Sequence, residues 1–320
     1  MRITRTGTFV AALLVAATAA AACSSSSKSS TTATTASGGG GAAGTTAAPA
    51  ASKPSVTIGA VNFTENEVLA YVYSDALKAA GFKSSVKPNL GSREVVQPAL
   101  QSGAFDATIE YAGNYLSYLN PNAANASAAA TAAALQPLVA KKGLTLGNVS
   151  QAADSDAIAV TEANAAKYHL TSIADLKSMA PQWNFGGPPE CATRITCIPG
   201  LKQFYGVVFK SFKSLDADGP ITHTALANGN VQVARIFSSD AVIAQDHFLV
   251  LTDPKNFQGA GNIIPVIRSG KATPDVLAIL NKVSATLTTQ DLVQFNLAVG
   301  VNHDDPTTVA SQYVQSHNLG

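Results

Sequence analysis

The sequence predicts an α/β protein built from two lobes. β-Prone runs alternate with runs of helical period across residues 54–320, and this alternation favours parallel sheets covered by helices. The predicted strands fall into two sets of roughly four to five, each enough for a small sheet. Residues 54–320 are also long enough for one large or two medium lobes. In such a molecule a ligand is expected in the crevice between the lobes.

The N-terminal segment predicts export. Residues 1–5 contain two arginines, residues 9–22 form an apolar run, and three alanines precede Cys23. This order is typical of a secretory signal, which we assign to residues 1–22. With a cysteine directly after the small residues, the segment resembles a bacterial lipoprotein signal. That resemblance implies that the Cys23 thiol carries a diacylglycerol, which anchors the protein in the bilayer. An ordinary cleavable signal with an incidental Cys23 is the alternative.

The segment after Cys23 predicts a flexible tether. Residues 24–53 are mostly Ser, Thr, Ala and Gly, with four consecutive glycines at 38–41. Such a composition cannot bury an apolar face. We therefore assign residues 23–53 to a lipidated cysteine and linker, and exclude residues 1–53 from the fold.

Composition excludes several classes of partner. Charged residues make up 13% of the chain and the net charge is +1. With no basic stripe, nucleic acid is not an expected partner. Beyond the signal, the sequence has no apolar run long enough to cross a bilayer. The expected location is extracytoplasmic, with attachment to the cell membrane through Cys23.

Two cysteines remain after Cys23. In an oxidising compartment Cys191 and Cys197 are expected to form a disulfide that closes the short loop 192–196. Two free thiols or a metal-binding pair are the alternatives. The loop contains no histidine, which makes a metal a poor choice.

The first half of the domain shows the alternation clearly. Thr64 and Glu67 have the spacing of a capping box at the start of a helix that ends at Gly81. A second helix is expected to begin at Ser92, and residues 121–140 form an Ala-rich helical stretch. The predicted strands of this half are 55–60, 86–90 and 105–110.

The second half repeats the pattern. Short helices are expected at 173–179 and 201–209, and residues 273–298 predict two closing helices. Trp183 precedes a Gly/Pro loop that is expected to border the crevice, so its fluorescence should report ligand binding. The predicted strands are 156–160, 183–189, 231–237, 248–251 and 263–267.

No catalytic motif is found in the sequence. A nucleophile elbow, a zinc-protease motif and a phosphate-binding loop are all absent. The run His303-Asp304-Asp305 could bind a metal, but adjacent ligands on one loop more often form a turn or cap. No catalytic residue, metal or cofactor is therefore expected, and the protein is not predicted to be an enzyme. The histidines are scattered at 169, 223, 247, 303 and 317.

Seven sequence blocks follow one another across nearly all of residues 55–320. The blocks are VTIGAVNFTEN at 56–66, LGSREVVQPAL at 90–100, GAFDATIEYAG at 103–113, ECATR at 190–194, PGLKQFYG at 199–206, GNVQVARIFSSD at 229–240 and FLVLTD at 248–253. In their order and spacing, these blocks together resemble the substrate-binding proteins of importers for quaternary-amine osmoprotectants, namely glycine betaine, choline, carnitine and proline betaine.

The resemblance implies a type II periplasmic-binding-protein fold that closes on its ligand like a Venus flytrap. The first lobe would comprise residues 55–153 and 253–320, and the second lobe residues 154–252, with a hinge where the chain crosses. The implied function is capture of an osmoprotectant and its delivery to the permease and ATPase of an ABC importer. A membrane-tethered sensor or interaction protein, or a receptor for a different polar solute, is the alternative. An exported hydrolase is disfavoured because no nucleophile is paired with a base.

The chemistry of such ligands explains the residue types sought. A quaternary ammonium donates no hydrogen bond and is held by aromatic faces, each contributing roughly 0.5–2 kcal/mol. A carboxylate at the other end of the ligand favours a forked donor such as Arg. The resemblance points to seven ligand-binding candidates, which are Asn66, Tyr111, Asn114, Asp156, Arg194, His223 and Phe237.

Four of these candidates have roles implied by position. Tyr111 would be a cage aromatic, Asn114 and Arg194 would meet the ligand's carboxylate, and Asn66 would touch the ligand through its amide. Tyr111 could instead belong to the core, and Arg194 could pair with Glu190.

The other candidates are departures from the family pattern. In the family pattern Tyr is common at the positions of Asp156 and Phe237, and another aromatic residue at that of His223. Val61 stands where Lys is frequent. The aromatic cage is therefore expected to be thin. An ionised Asp156 facing the crevice would favour a cation with a hydroxyl, such as choline, or another polar solute. A cap or turn is the alternative role for Asp156.

Overall fold

The computed structural model describes residues 53–123 and 126–319. The predicted signal peptide, Cys23 and almost all of the predicted linker lie outside the described residues. Two five-stranded sheets organise the chain. Their strands are β1 (Val56–Gly59), β2 (Ser84–Lys87), β3 (Ala107–Tyr111), β4 (Leu144–Leu146), β5 (Asp156–Thr161), β6 (Asn184–Gly187), β7 (Ser211–Ser214), β8 (Val233–Phe237), β9 (Phe248–Val250) and β10 (Ile263–Arg268).

Helices cover both sheets. Short 3-10 and π segments supplement the α-helices, notably Ile173–Lys177, Leu201–Tyr205 and Asn296–Val301. The α-helices are α1 (Thr64–Ala79), α2 (Arg93–Ser102), α3 (Ala112–Leu119), α4 (Ala128–Ala140), α5 (Glu162–Tyr168), α6 (Ile198–Gly200), α7 (Pro220–Ala227), α8 (Val242–Gln245), α9 (Pro274–Thr286), α10 (Thr289–Phe295) and α11 (Pro306–Ser316). Among the described residues, no helix has both the length and the hydropathy needed to span a membrane.

The first lobe is built on a sheet of order β2-β1-β3-β10-β4. β1 is parallel to β2 and β3, whereas β10 is antiparallel to β3 and β4. One face of the sheet packs on α1, α9 and α11 through a core that includes Tyr73 and Leu280. The other face packs on α2, α3 and α4 around Tyr115 and Leu135. Burial on both faces explains why β10 is almost continuously apolar. β3 is equally buried but includes the polar residues Thr108 and Glu110.

The second lobe has the same plan, with the sheet order β7-β6-β8-β5-β9. β6 is parallel to β7 and β8, and β5 is antiparallel to β8 and β9. Phe185 and Leu201 lie in the core on one face, and Leu226 and Ile236 lie in the core on the other. The two-lobed α/β fold predicted from the sequence is confirmed.

Two crossing segments join the lobes, one between β4 and β5 and the other between β9 and β10. They run side by side, because Ala153 bridges Asn262 and the Asp154 amide donates to the Gly261 carbonyl at 2.9 Å. A Cβ at Gly261 would lie 1.9 Å from the Asp154 carbonyl oxygen. Only glycine permits so close an approach of the two segments.

Several local predictions need correction. The capping box is wrong, since Phe63 is the N-cap and Thr64 is already the first helical residue. β2 begins at Ser84, two residues before the predicted strand. The two closing helices are present, but β4, β7 and α11 were not predicted. The run at 303–305 acts as a cap, because Asp305 accepts a hydrogen bond from the Thr308 amide at 2.9 Å.

Candidate functional site

A cavity of about 310 Å³ lies between the lobes, and we call it the main cavity because its lining includes the predicted site residues Asn114 and Arg194. Its lining comes from both lobes, so opening or closing the molecule changes its shape. The first lobe contributes Arg93, Glu94, Asn114, Ser117, Tyr118 and Pro121, and the second contributes Thr193, Arg194, Ile195, Thr196 and Pro199.

A disulfide shapes one wall of this cavity. Cys191 and Cys197 are bonded and buried, which confirms the predicted pairing. The loop that they close includes Arg194 and Thr196, both of which line the cavity. The crosslink therefore restricts the segment that carries the second lobe's arginine.

Arg194 connects the two lobes directly. Its Nε and Nη2 donate to the two carboxylate oxygens of Glu94 at 2.9 and 2.8 Å. Burial acts to raise the Glu94 pKa, but the guanidinium outweighs it and lowers the pKa to about 2. The Glu190 alternative is also realised, at the longer distance of 3.6 Å. The stronger, bidentate partner belongs to the opposite lobe.

Three aromatic rings meet beside this cavity, in what we call the aromatic corner (Phe63, Tyr111 and Phe237). The Phe63 ring centroid lies 5.7 Å from that of Tyr111 and 4.6 Å from that of Phe237. Phe63 and Tyr111 belong to the first lobe and Phe237 to the second. The small cavity that they border, of about 20 Å³, is also lined by Asn114, Arg194 and Arg235.

Arg235 places a cation on the aromatic corner. The central carbon of its guanidinium lies 4.0 Å from the Phe237 ring centroid, well within cation–π range. Its Nη2 donates to the Asp156 carboxylate, and both side chains are buried. A charge from the protein itself therefore stands on a ring face of the kind that holds a quaternary ammonium.

Asp156 is not a free carboxylate. It is the first residue of β5, in register with Phe237, so the cap alternative is wrong. Burial acts to raise its pKa, but Arg235 and then Arg194 lower it. Asn114 Nδ2 also donates to Asp156 at 3.2 Å. The hypothesis that Asp156 would attract a ligand's cation loses its basis, because the charge already has a partner.

Tyr111 is both a core residue and part of the aromatic corner. Its hydroxyl donates to Glu65 Oε1 at 2.7 Å. Burial and the Glu65 charge raise the pKa of Tyr111 well above its usual value. The other Glu65 oxygen accepts from Ser239 Oγ of the second lobe at 2.6 Å. Burial raises the Glu65 pKa in spite of these hydrogen bonds.

Asn66 lies beneath the aromatic corner. Its Oδ1 accepts from the Val61 amide at 2.8 Å, and its Nδ2 donates to the Ile109 carbonyl at 2.9 Å. The side chain is fully buried and lines neither interlobe cavity described above. Asn66 therefore fixes the turn that carries Phe63 and does not reach the site itself.

His223 lies behind Phe237. It lines a separate cavity of about 90 Å³, together with Phe63, Phe237 and others. Its Nε2 lies 3.1 Å from Asp218 Oδ1 and 2.8 Å from Asp240 Oδ2. Burial acts to lower the His223 pKa, but the two carboxylates outweigh it and raise the pKa to about 10.

The His223 cluster braces the aromatic corner. The second oxygen of Asp218 accepts a hydrogen bond from the Phe237 amide at 2.7 Å. Asp218, His223 and Asp240 each have one side-chain atom that could coordinate a metal, and these three atoms lie within 4.8 Å of one another. Residues of these types can bind zinc. Because the nitrogen–oxygen separations are hydrogen-bond lengths, a proton on His223 accounts for the arrangement.

Trp183 lies away from the cavities. It is buried in the core of the second lobe, where Tyr168 packs edge-on at 5.1 Å between centroids. It precedes the first residue of β6, whereas Glu190, beyond the other end of that strand, borders the aromatic corner. The prediction that Trp183 borders the crevice is wrong.

The structure thus groups the candidates into two tiers. Tyr111, Asn114, Arg194 and Phe237 share the lining of the aromatic corner, with Asp156 bonded to Asn114 and Arg235. Asn66 and His223 support it from behind. The sequence reasoning missed Phe63 and Arg235. Arg235 was detectable as a lone charge within an otherwise apolar strand, and Phe63 by its place between β1 and α1.

Comparison with known proteins identifies the family. Residues 54–316 match the model of the OpuAC family, described as the substrate binding domain of ABC-type glycine betaine transport systems. The chain belongs to this family. The family is one of solute-binding proteins of transporters, which agrees with the resemblance seen in the sequence and with the two-lobed fold.

Curated relatives in this family carry related names. The glycine-betaine-binding protein of Pseudomonas aeruginosa is 25% identical over 280 residues, which cover 84% of this chain and 90% of the relative. The carnitine transport binding protein OpuCC of Listeria monocytogenes is 25% identical over 281 residues, which cover 84% and 88%.

Solved structures share the fold. The apo form of Escherichia coli YehZ is 25% identical, with a TM-score of 0.59 over 85% of this chain and 100% of that chain. A glycine betaine/carnitine/choline ABC transporter structure is 23% identical, with a TM-score of 0.65 over 82% and 99%.

Proposed function

We propose that this OpuAC-family protein captures a zwitterionic quaternary amine, such as glycine betaine or carnitine, between its lobes and delivers it to the permease and ATPase of an ABC importer. The observation that carries this proposal is the aromatic corner, in which rings from both lobes meet a buried Arg235–Asp156 ion pair. Rings and paired opposite charges suit a ligand that has a quaternary ammonium at one end and a carboxylate at the other.

Charge balance favours a zwitterion over a simple cation. The charges of Arg235 and Asp156 already balance, so a ligand ammonium on the Phe237 ring would add an uncompensated positive charge beside a buried ion pair. Such an unpaired charge is costly. A zwitterion brings its own carboxylate, to which Arg235 can donate, and leaves the site balanced. This argument reverses the sequence-based preference for choline.

The proposed lobe boundaries follow the sheets. Lobe I comprises residues 55–153 and 253–320, and lobe II residues 154–252, with the two hydrogen-bonded crossing segments as the hinge. The strands assigned to each sheet and the Asp154–Gly261 hydrogen bond support this division. In closure, the Arg194–Glu94 pair would join the lobes across the cavity.

We propose further that residues 1–22 direct export and that Cys23 anchors the mature protein to the outer face of the cell membrane, with residues 24–53 as tether. The sequence pattern supports this assignment. Fractionation of cells that express the full chain should place it in the membrane, and Cys23→Ala should release it. A wild-type protein found entirely in the soluble extracytoplasmic fraction would contradict the anchor.

The ligand proposal is tested by titration calorimetry of residues 54–320 with glycine betaine, carnitine, proline betaine and choline. We expect at least one of the three zwitterions to bind more tightly than choline. Tightest binding of choline would contradict the charge argument. Absence of heat with all four compounds, in a protein shown to be folded, would contradict the proposed function.

A further inference from the structure

The side-chain oxygen of Asn114 is a buried hydrogen-bond acceptor to which no group of the described residues donates. It is the third residue of α3 and is 7% exposed. Its side chain lines both the main cavity and the aromatic corner. Asn114 Oδ1 is buried and has no hydrogen-bond partner among the described residues. Buried side-chain oxygens are normally paired, so an unpaired one beside a ligand cavity needs an explanation.

The orientation of the amide is fixed by charge. Asn114 Nδ2 donates to Asp156 Oδ1 at 3.2 Å. Exchanging the amide nitrogen and oxygen would place Oδ1 against the carboxylate, where two acceptors repel. Asp156 stays ionised, because Arg235 and Arg194 lower its pKa. The acceptor of Asn114 is therefore left for another partner.

Neighbouring groups do not supply that partner. Arg194 is held by Glu94 and Glu190, and Arg93 donates to Glu110 at 2.9 and 3.1 Å. Two other buried side-chain atoms also lack hydrogen-bond partners in the described structure, Asp240 Oδ2 and Gln258 Nε2. Asp240 Oδ2 is in ion-pair contact with His223, and Gln258 lines neither of these cavities. Asn114 Oδ1 is the unpaired atom that belongs to the site.

We propose that Asn114 is a specificity-determining residue that selects a ligand with an O–H or N–H donor in addition to its charged groups. The inference rests on the proposed function and adds a donor requirement to it, which a hydroxyl on a quaternary amine or the N–H of a tertiary ammonium can meet. Glycine betaine consists of a carboxylate, a methylene and three N-methyl groups, so it has nothing to donate and would leave Oδ1 unpaired. A hydroxylated betaine, or an ammonium that keeps one N–H, would satisfy it.

The cavity has room for such a ligand. The aromatic corner alone encloses about 20 Å³, whereas the adjoining main cavity encloses about 310 Å³. Asn114 borders both, so a donor positioned between the ring-bound ammonium and the main cavity lies beside its amide. Ser117, one turn further along α3, lines the main cavity with its own hydroxyl.

Two matched ligand pairs test the proposal by titration calorimetry on residues 54–320. L-Carnitine and γ-butyrobetaine differ only by a hydroxyl, and dimethylglycine and glycine betaine differ by one N–H in place of one N-methyl. We expect the donor-bearing member of at least one pair to bind about tenfold more tightly. The pair that shows the preference identifies the donor as O–H or N–H.

Two variants test whether Asn114 causes the preference for the donor-bearing ligand. Asn114→Ala should reduce the preferred pair's ratio to within about twofold. Asn120→Ala should keep the ratio, because Asn120 is the exposed C-cap residue of the same helix and lines neither cavity. If the wild-type protein binds both members of each pair equally, the inference fails and the proposed function stands. A ratio that persists in Asn114→Ala also overturns it. If none of the four compounds binds to folded protein, the proposed function fails and the inference fails with it.

Discussion

The guanidinium of Arg194 and the carboxylate of Glu94 face each other across the cavity, each from a different lobe, through hydrogen bonds of 2.9 and 2.8 Å. Arg194 lies in the disulfide-closed loop and Glu94 in the first turn of α2. An ion pair between the two lobes thus lies at the lining of the cavity.

Breaking this pair should weaken ligand binding. Glu94→Gln removes the charge but keeps the size, and we expect about fivefold lower affinity, since a partly exposed ion pair contributes up to ~1 kcal/mol. Titration calorimetry at low and high salt measures the effect, which should shrink as salt rises. Asp75→Asn is the control, because Asp75 pairs with Lys78 within one helix. Equal losses in both variants would contradict the account.

Removing the internal cation should change ligand preference. Arg235→Met leaves the Phe237 face open and Asp156 without its partner, so choline should bind more tightly relative to glycine betaine. Loss of one partner of a buried pair should also lower the free energy of unfolding by about 3 kcal/mol. Calorimetry with both ligands and urea denaturation measure the two effects.

Arg268→Met is the control for that experiment. Arg268 lies at the end of β10 and is 3.5 Å from Asp106 in a partly exposed pair. It should alter neither ligand preference nor stability appreciably. An unchanged choline-to-betaine ratio in Arg235→Met would show that Arg235 does not compete for the ring.

Loss of the disulfide should loosen the cavity wall. With a sequence separation of 6 between the cysteines, the chain-entropy relation gives about 2 kcal/mol of stabilisation. Cys191→Ala/Cys197→Ala should therefore lower the free energy of unfolding by about that amount, and should weaken ligand binding because Arg194 loses its restraint. Urea denaturation and calorimetry test both. Wild-type ligand affinity in this variant would contradict the claim that the disulfide restrains Arg194 for ligand binding.

Stability should fall as the solution becomes alkaline. His223 has a folded pKa of about 10, above its ordinary value of 6.5, so the folded protein holds its proton where the unfolded chain has lost it. The stabilisation is complete below about pH 6.5 and is lost as pH rises to about 10. Burial raises the pKa of Asp218, which is hydrogen-bonded to His223, to about 7. Stability therefore also falls as pH rises towards 7.

Urea denaturation at pH 6 and pH 9 measures this dependence. We expect the wild type to lose on the order of 3 kcal/mol between these values through His223, and His223→Gln to lose distinctly less. His247→Gln is the matched control, because His247 is exposed and its nearest carboxylate is on the exposed Glu162. Identical pH profiles for the wild type and His223→Gln would contradict the assignment.

Much of the fold was predictable because burial leaves a clear pattern. The strands β5 and β10 are buried along nearly their full length and are largely apolar in sequence. β7 was missed because it is mostly exposed and carries Ser211 and Lys213. α11 was missed because its buried positions are few.

The location of the site was predictable from the sequence, but the ion pairing of its charged side chains was not. The resemblance to the family implied that Tyr111, Asn114 and Arg194 all contact the ligand. The sequence could not reveal that the charge of Asp156 is paired with Arg235. Arg235 is 79 residues away along the chain and is brought next to Asp156 only by the pairing of β5 with β8. The prediction for Trp183 was wrong because Trp183 lies immediately before the start of β6, whereas the residues that follow the other end of this strand reach the cavity.

The central claim is that the aromatic corner holds the ammonium of the ligand, and Phe237→Ala tests it most directly. Calorimetry with carnitine and glycine betaine should show at least about tenfold weaker binding of whichever ligand the wild type prefers. Phe209→Ala, which removes a ring packed on Phe185 within the second lobe, should leave the affinity nearly unchanged. Wild-type affinity in folded Phe237→Ala would contradict the account.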